Sequence, residues 1–288
     1  MEQALQPTSS TQEDNILRID AKPYNIVVRV FGDEQPGIPV LLMHGLQSHS
    51  GWFVQSAAAV SRAGSPAYII ERRGSGMSEA PRGECSNFHE MLADILSVVK
   101  YVKAKHGKNK VHLMGHCFGA IPATNFAIIH GDQLASLILP TPGIYTYSDL
   151  KLFEKIQVLF CAMTGTKLYI DVPMEARQFS EFDEVINFIN NDPLSLRQAT
   201  GLFYYQILKA RQFINKNLSR ITLPVLMAFA GKDQICDNNK NRQCFEQIPS
   251  QDKLLLEYPN AKHVLEFSSN KDEFFNHLAE WLNNHRTA

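Results

Sequence analysis

Short apolar runs alternate along this chain with longer stretches whose hydrophobic positions recur every three to four residues. The runs at residues 16–20, 25–31, 40–43, 67–71, 111–114 and 135–139 read as strands, with Ile26, Val28 and Val30 alternating in the second. Between them lie helical patterns at residues 53–63 and from Asn87 to about residue 105, where Leu92, Ile95, Leu96, Val99 and Val102 share one stripe. Asn87 followed by Glu90 predicts a capping box at the start of the second helix. Strands alternating with helices imply a mostly parallel sheet covered on both faces. The rhythm breaks after Leu139 and resumes at Leu223. In between there is no convincing buried strand, only helical patterns at 150–163, 181–190 and 195–215. Two of these carry apolar faces, Leu152, Phe153, Ile156, Leu159 and Phe160, and then Leu202, Phe203, Tyr204, Ile207 and Leu208. The chain therefore divides into a core portion (1–142), a helical insertion (143–220) and a second core portion (221–288), which ends in a closing helix through Trp281.

Composition narrows the class. The 288 residues suffice for one large α/β core with an insertion, and no apolar run reaches the length of a membrane span. Twenty-eight basic against twenty-nine acidic side chains leave a formal charge of −1, which argues against a nucleic-acid partner. Cys85, Cys117, Cys161, Cys236 and Cys244 form neither a C-x-x-C pair nor an even disulfide framework, so a reducing, cytoplasmic setting is expected. The first fourteen residues are polar and acidic, unlike a signal or transit sequence, and are expected to pack loosely. Neither a cofactor nor a metal is called for, and the oligomeric state is left open.

The candidate chemistry centres on Gly115-His116-Cys117-Phe118-Gly119, which follows the run Val111-His112-Leu113-Met114 and opens a small-residue helix. Strand, sharp turn and helix in that order fit the G-x-S-x-G nucleophile elbow of an α/β-hydrolase, with cysteine in the serine position. Side chains two residues either side of a nucleophile on so tight a turn would clash, and Gly115 and Gly119 remove them. A thiolate at Cys117 would meet a helix N-terminus. The acid and the histidine should follow in that order, each just past a strand. Asp233, after the run 223–230, is the preferred acid, with Asp237 its rival; His263, after the run 253–258, is the histidine. The imidazole would take the thiol proton, and the aspartate would orient the ring. Oxyanion donors in this fold are backbone N–H groups, here assigned to Phe118 and Leu46, while His44 braces the loop that begins at Gly45.

These residues lie in a wider set of segments: His44 to Gly51, Arg72 to Glu79, Asn87-Phe88-His89, the elbow, Asp192-Pro193-Leu194, Asp233 to Asp237, and Ala261 to Leu265. Over nearly its whole length the chain resembles the monoacylglycerol lipase and lysophospholipase-like branch of the α/β-hydrolases. The resemblance implies a mostly parallel eight-stranded sheet flanked by helices, with a helical lid, and a triad of Cys117, Asp233 and His263. It also implies Leu46 and Phe118 as oxyanion donors. That branch uses serine, and cysteine nucleophiles on this fold look more like dienelactone hydrolases, polyhydroxyalkanoate synthases and some thioesterases or acyltransferases. The expected activity is hydrolysis of a small-molecule ester or thioester of an apolar acyl group. Acyl transfer, a non-catalytic binding module and a lipase carrying an introduced cysteine stay open beside it. Leu159, Phe203 and Tyr204 of the insertion are candidate acyl-binding residues, and the insertion is the candidate for transient contact with a lipid surface.

Overall fold

The computed structural model describes residues 15–147 and 150–286. The N-terminal residues expected to pack loosely lie outside the described residues. Eight strands form one sheet: β1 (Asn15–Ile19), β2 (Ile26–Phe31), β3 (Val40–Met43), β4 (Ala67–Ile70), β5 (Val111–Gly115), β6 (Leu134–Pro140), β9 (Val225–Ala230) and β10 (Lys253–Tyr258). Their spatial order is β1-β2-β4-β3-β5-β6-β9-β10. The β1–β2 and β2–β4 pairs are antiparallel, and every later pair is parallel. Burial follows position. The inner strands β3, β4, β5, β6 and β9 are wholly buried and rich in Val, Leu and Ile, whereas the edge strands β1 and β10 expose residues along their length.

Helices α1 (Val54–Arg62), α2 (Phe88–His106), α3 (Ala120–His130), α7 (Asn238–Glu246) and α8 (Lys271–Asn284) accompany this sheet. At the start of α2, Asn87 caps by accepting from the His89 N–H. The capping box does not close, because the Glu90 carboxylate pairs with Arg73 instead, at 2.9 Å.

Three helices lie between β6 and β9: α4 (Leu152–Thr164), α5 (Asp183–Asn191) and α6 (Gly201–Asn217). Two short strands accompany them, β7 (Tyr169–Asp171) and β8 (Gln198–Thr200), paired antiparallel, which the helical patterns of this stretch did not announce. Residues 198–200 are extended because they pair with β7. Thr200 then caps α6, its hydroxyl accepting from the Phe203 N–H, so that helix starts later than its apolar periodicity suggests. Most of the apolar face of α4 is turned to solvent: Leu152, Phe153, Ile156, Leu159, Phe160 and Met163 are all exposed.

Candidate active site

The elbow sits between β5 and α3. Cys117 has φ +51°, a left-handed conformation that is costly for a non-glycine residue and marks a tight turn under constraint. The flanking glycines have a measurable reason. A Cβ on Gly115 would lie 2.4 Å from the Gly119 carbonyl oxygen, and one on Gly119 would lie 2.3 Å from the Met43 carbonyl oxygen. The turn is therefore pressed both on itself and on the end of β3. Gly45 is tight as well: a Cβ there would lie 3.1 Å from Ser48 Oγ and 3.3 Å from Cys117 Cβ, so its neighbours would have to give by a few tenths of an ångström. The Gly143 N–H donates to the Cys117 carbonyl at 2.8 Å and fixes the other side.

Asp233 and His263 follow β9 and β10, and the structure brings them together. His263 Nδ1 donates to Asp233 Oδ2 at 2.8 Å, with both side chains fully buried. The other carboxylate oxygen accepts from the Ile235 and Cys236 N–H groups at 2.8 and 2.9 Å. His263 Nε2 is buried without a hydrogen-bond partner among the described residues. A His263 ring nitrogen, the Cys117 sulfur and the Cys236 sulfur lie within 4.8 Å of one another. With Nδ1 committed to Asp233, the nitrogen facing the sulfurs is Nε2. Asp237, the rival acid, caps α7 by accepting from the Lys240 N–H at 3.1 Å.

The electrostatics of this cluster favour an ion pair. A hydrogen bond from Cys236 holds the Cys117 thiol well below its ordinary value against the opposing effect of burial, and His263 adds to the lowering. Burial works against charge on His263, but the Asp233 and Cys117 charges overcome it and push the imidazole up to about 10. The Cys236 thiol is driven the other way by burial, and its single S–H lies between two acceptors, the Cys117 sulfur and the Thr141 carbonyl at 3.3 Å. Thiolate at Cys117, imidazolium at His263 and thiol at Cys236 is the consistent assignment.

His44 and Arg72 hold the loop that carries Leu46. His44 Nδ1 donates to the Gly45 carbonyl at 2.9 Å, and its Nε2 accepts from the Arg72 N–H at 3.0 Å. Burial keeps this imidazole below its usual value, as the neutral tautomer requires. The Arg72 guanidinium donates to the Leu46 carbonyl at 2.8 Å and stacks over Phe118 and Phe203, 5.1 and 5.4 Å from their ring centroids. Sequence reasoning assigned Arg72 no role. Its signal was the Arg72-Arg73-Gly74 turn directly after β4. His116 packs between Phe53 and His263 and bonds Thr141 Oγ1 at 2.9 Å.

Cys117, Leu46 and Phe118 line a cavity of about 460 Å³ together with apolar residues such as Val158, Met174, Ile207 and Leu208, and with the polar Tyr204, Lys155 and Arg211. Of the three insertion residues expected there, only Tyr204 takes part. Phe203 is fully buried and turned onto Phe118 at 5.6 Å, and Leu159 points outward, 58 % exposed. One turn along α6 from Phe203, Ile207 lines the cavity.

A second buried cluster joins His49 and Asp192, to which the sequence assigns no role. His49 Nε2 donates to Asp192 Oδ2 at 2.9 Å, and the same carboxylate accepts from Trp52 Nε1 at 2.7 Å and Ser195 Oγ at 3.0 Å. Burial opposes the charge, but these donors hold the Asp192 carboxyl well below the usual carboxylate range. The pair ties the segment after α5 to the loop after β3.

Comparison with known proteins agrees with this architecture. The chain is 27 % identical over 260 residues to a monoglyceride lipase of Rattus norvegicus, covering 88 % of this chain and 84 % of that one. Among solved structures it resembles a soluble variant of the monoglyceride lipase of Saccharomyces cerevisiae, with a TM-score of 0.84, 18 % identity and 98 % of each chain covered. It also resembles the monoacylglycerol lipase of Paleococcus ferrophilus, with a TM-score of 0.81, 22 % identity, and 90 % of this chain and 99 % of that one covered. A family model described as serine aminopeptidase, S33, matches residues 34–270. That span runs from before β3 to just before α8 and takes in the elbow, the acid and the histidine, so the chain belongs to the serine aminopeptidase S33 family and is an α/β-hydrolase enzyme.

Proposed function

We propose that this enzyme cleaves an ester or thioester of an apolar acyl group, with Cys117 as nucleophile, His263 as proton carrier and Asp233 as the group that orients it. The observation that carries the reading is the His263–Asp233 contact of 2.8 Å, with the second ring nitrogen turned toward a sulfur that lines a largely apolar cavity. The Cys117 thiolate attacks the acyl carbonyl, whose oxygen takes the charge and is held by the Leu46 and Phe118 N–H groups. The imidazolium protonates the leaving alcohol or thiol, leaving a thioester on Cys117. Neutral His263 then draws a proton from water, whose oxygen attacks the thioester and releases the acid.

Residues 143–220 act as a lid in this reading, with α6 supplying the cavity wall through Tyr204, Ile207 and Leu208. The exposed apolar face of α4, bearing Phe153, Ile156 and Met163, supports transient docking on a lipid surface. Among the described residues no helix is long and apolar enough to cross a membrane. The similarity to monoglyceride lipases favours a monoacylglycerol-like ester as substrate. The test is intact-mass spectrometry after mixing with such esters and matched thioesters. An acyl adduct on Cys117 that water discharges supports hydrolysis. Discharge only to an added amine, thiol or alcohol would assign transfer instead. Full turnover by Cys117→Ala would overturn the nucleophile.

A further inference from the structure

We propose that Cys117, Cys236 and His263 form a binding site for a thiophilic divalent cation of the Zn²⁺ class. Two sulfurs and one imidazole nitrogen within 4.8 Å of one another are the donor set that borderline-soft metals select, unlike the oxygen sets that hold Mg²⁺ or Ca²⁺. Tetrahedral zinc, with Zn–S near 2.3 Å and Zn–N near 2.0 Å, places its donors about 3.5–3.8 Å apart, so each pair needs to close by about 1.3 Å at most. The three residues come from the elbow, the loop after β9 and the loop after β10, too far apart in sequence for any spacing motif to announce them.

Two independent features prepare the site. Among the described residues, His263 Nε2 is a fully buried nitrogen without a hydrogen-bond partner, held in place because Nδ1 donates to Asp233. Carboxylate, imidazole and metal in line is the arrangement that fixes the tautomer and raises the basicity of a histidine ligand. The same carboxylate grips the Cys236 backbone N–H through its other oxygen at 2.9 Å, so one acid positions two of the three ligands. Cys117 opens on the cavity, which gives the ion its path and leaves a fourth position for water or a substrate oxygen. Two thiolates neutralise the charge of the ion, as a buried site requires. Binding displaces the Cys236 thiol proton and the Nε2 proton of the His263 imidazolium. Two protons therefore leave to solvent, and no electron is transferred.

Occupancy ties up the sulfur lone pairs that would attack a carbonyl, so the ion acts as a reversible inhibitor. That consequence rests on Cys117 being the nucleophile; the binding itself does not. The experiment is titration of the chelator-stripped full chain with Co²⁺, a spectroscopic substitute for zinc, in a non-thiol reductant. One equivalent should produce tetrahedral d–d bands and thiolate-to-cobalt charge transfer, bleached by Zn²⁺, with ester turnover lost in parallel and restored by a chelator. Cys236→Ala, checked for fold by circular dichroism, should lose the tetrahedral spectrum, and Asp233→Asn should weaken binding about 10–100-fold. Absence of the spectrum in the wild-type chain, or its persistence unchanged in Cys236→Ala and Cys117→Ser, would overturn the site. A cobalt spectrum in a chain whose turnover survives Cys117→Ala would sink the catalytic reading and leave the metal site standing.

Discussion

His263–Asp233 and His49–Asp192 are buried histidine–carboxylate pairs of nearly equal length, 2.8 and 2.9 Å. What separates them is the other ring nitrogen. His49 Nδ1 accepts from the Gly51 N–H at 3.1 Å, so both sides of the ring are engaged. Among the described residues His263 Nε2 has no such partner, and it faces sulfur. Asp192 collects three side-chain donors and a backbone N–H at 2.9 Å, and so closes a network. Asp233 gives one oxygen to its histidine and the other to the loop behind it. A histidine–carboxylate contact thus marks a fixed ring. The unspent nitrogen, aimed at a polarisable atom beside a cavity, is what sets His263 apart and supports the catalytic role proposed for it.

The comparison can be broken in steps. Cys117→Ala should lower turnover on the order of 10⁴–10⁶-fold, read as initial rates on a p-nitrophenyl ester. Asp233→Asn should cost about 10²–10³-fold, less than the same change beside a serine, because an ion pair already formed depends less on the orienting acid. Asp237→Asn should leave the rate near wild type, since asparagine also caps a helix. Equal losses for the two would refute the assignment of the acid.

The pH profile sharpens the same point. A thiol held low and a histidine held at about 10 give a plateau. Activity appears as Cys117 loses its proton, on the acid side, and falls as pH passes about 10 and the imidazolium is lost. In Cys117→Ser the histidine must instead start neutral, so the acid limb should move up toward the ordinary histidine range near ~6.5. Superimposable acid limbs would exclude the thiolate–imidazolium state.

On the other pair, His49→Ala leaves Asp192 buried without one donor. It should cost stability by about 1–3 kcal/mol, read by denaturant melts, while slowing a short ester far less than Asp233→Asn does. The smallest effect concerns the cavity wall. Affinity should rise about fourfold per acyl methylene until the cavity ends. Ile207→Trp should shorten the preferred chain, and Leu159→Trp, on the solvent side, should not. A chain-length profile that is flat in all three proteins would remove the apolar-acyl reading.

Much of this was legible in the chain because it rests on local rules. The buried parallel strands announce themselves as apolar runs, and Gly115-x-Cys117-x-Gly119 encodes a turn that only glycines permit. Asp233 and His263 stand just past strands, where loops converge. The contacts of Cys236, Arg72 and the pair His49–Asp192 were not legible, because they join distant segments and depend on where side chains turn in space. The same limit explains Phe203 and Leu159. Periodicity names the apolar face of a helix, but which turn of that face meets a cavity depends on how the helix is docked.

The loop after β3 has two duties. Leu46 lines the cavity, and its neighbour Gln47 accepts from the Leu196 N–H at 2.8 Å, while His49, three residues beyond Leu46, holds Asp192. The insertion is thus spliced onto the strip of backbone that carries a proposed oxyanion donor. A chimaera that borrows residues 143–220 from a relative, to change the acyl group accepted, would carry foreign partners for residues 47–49. Such a graft must bring its own copy of that loop, because the seam between modules runs through the reaction centre rather than beside it.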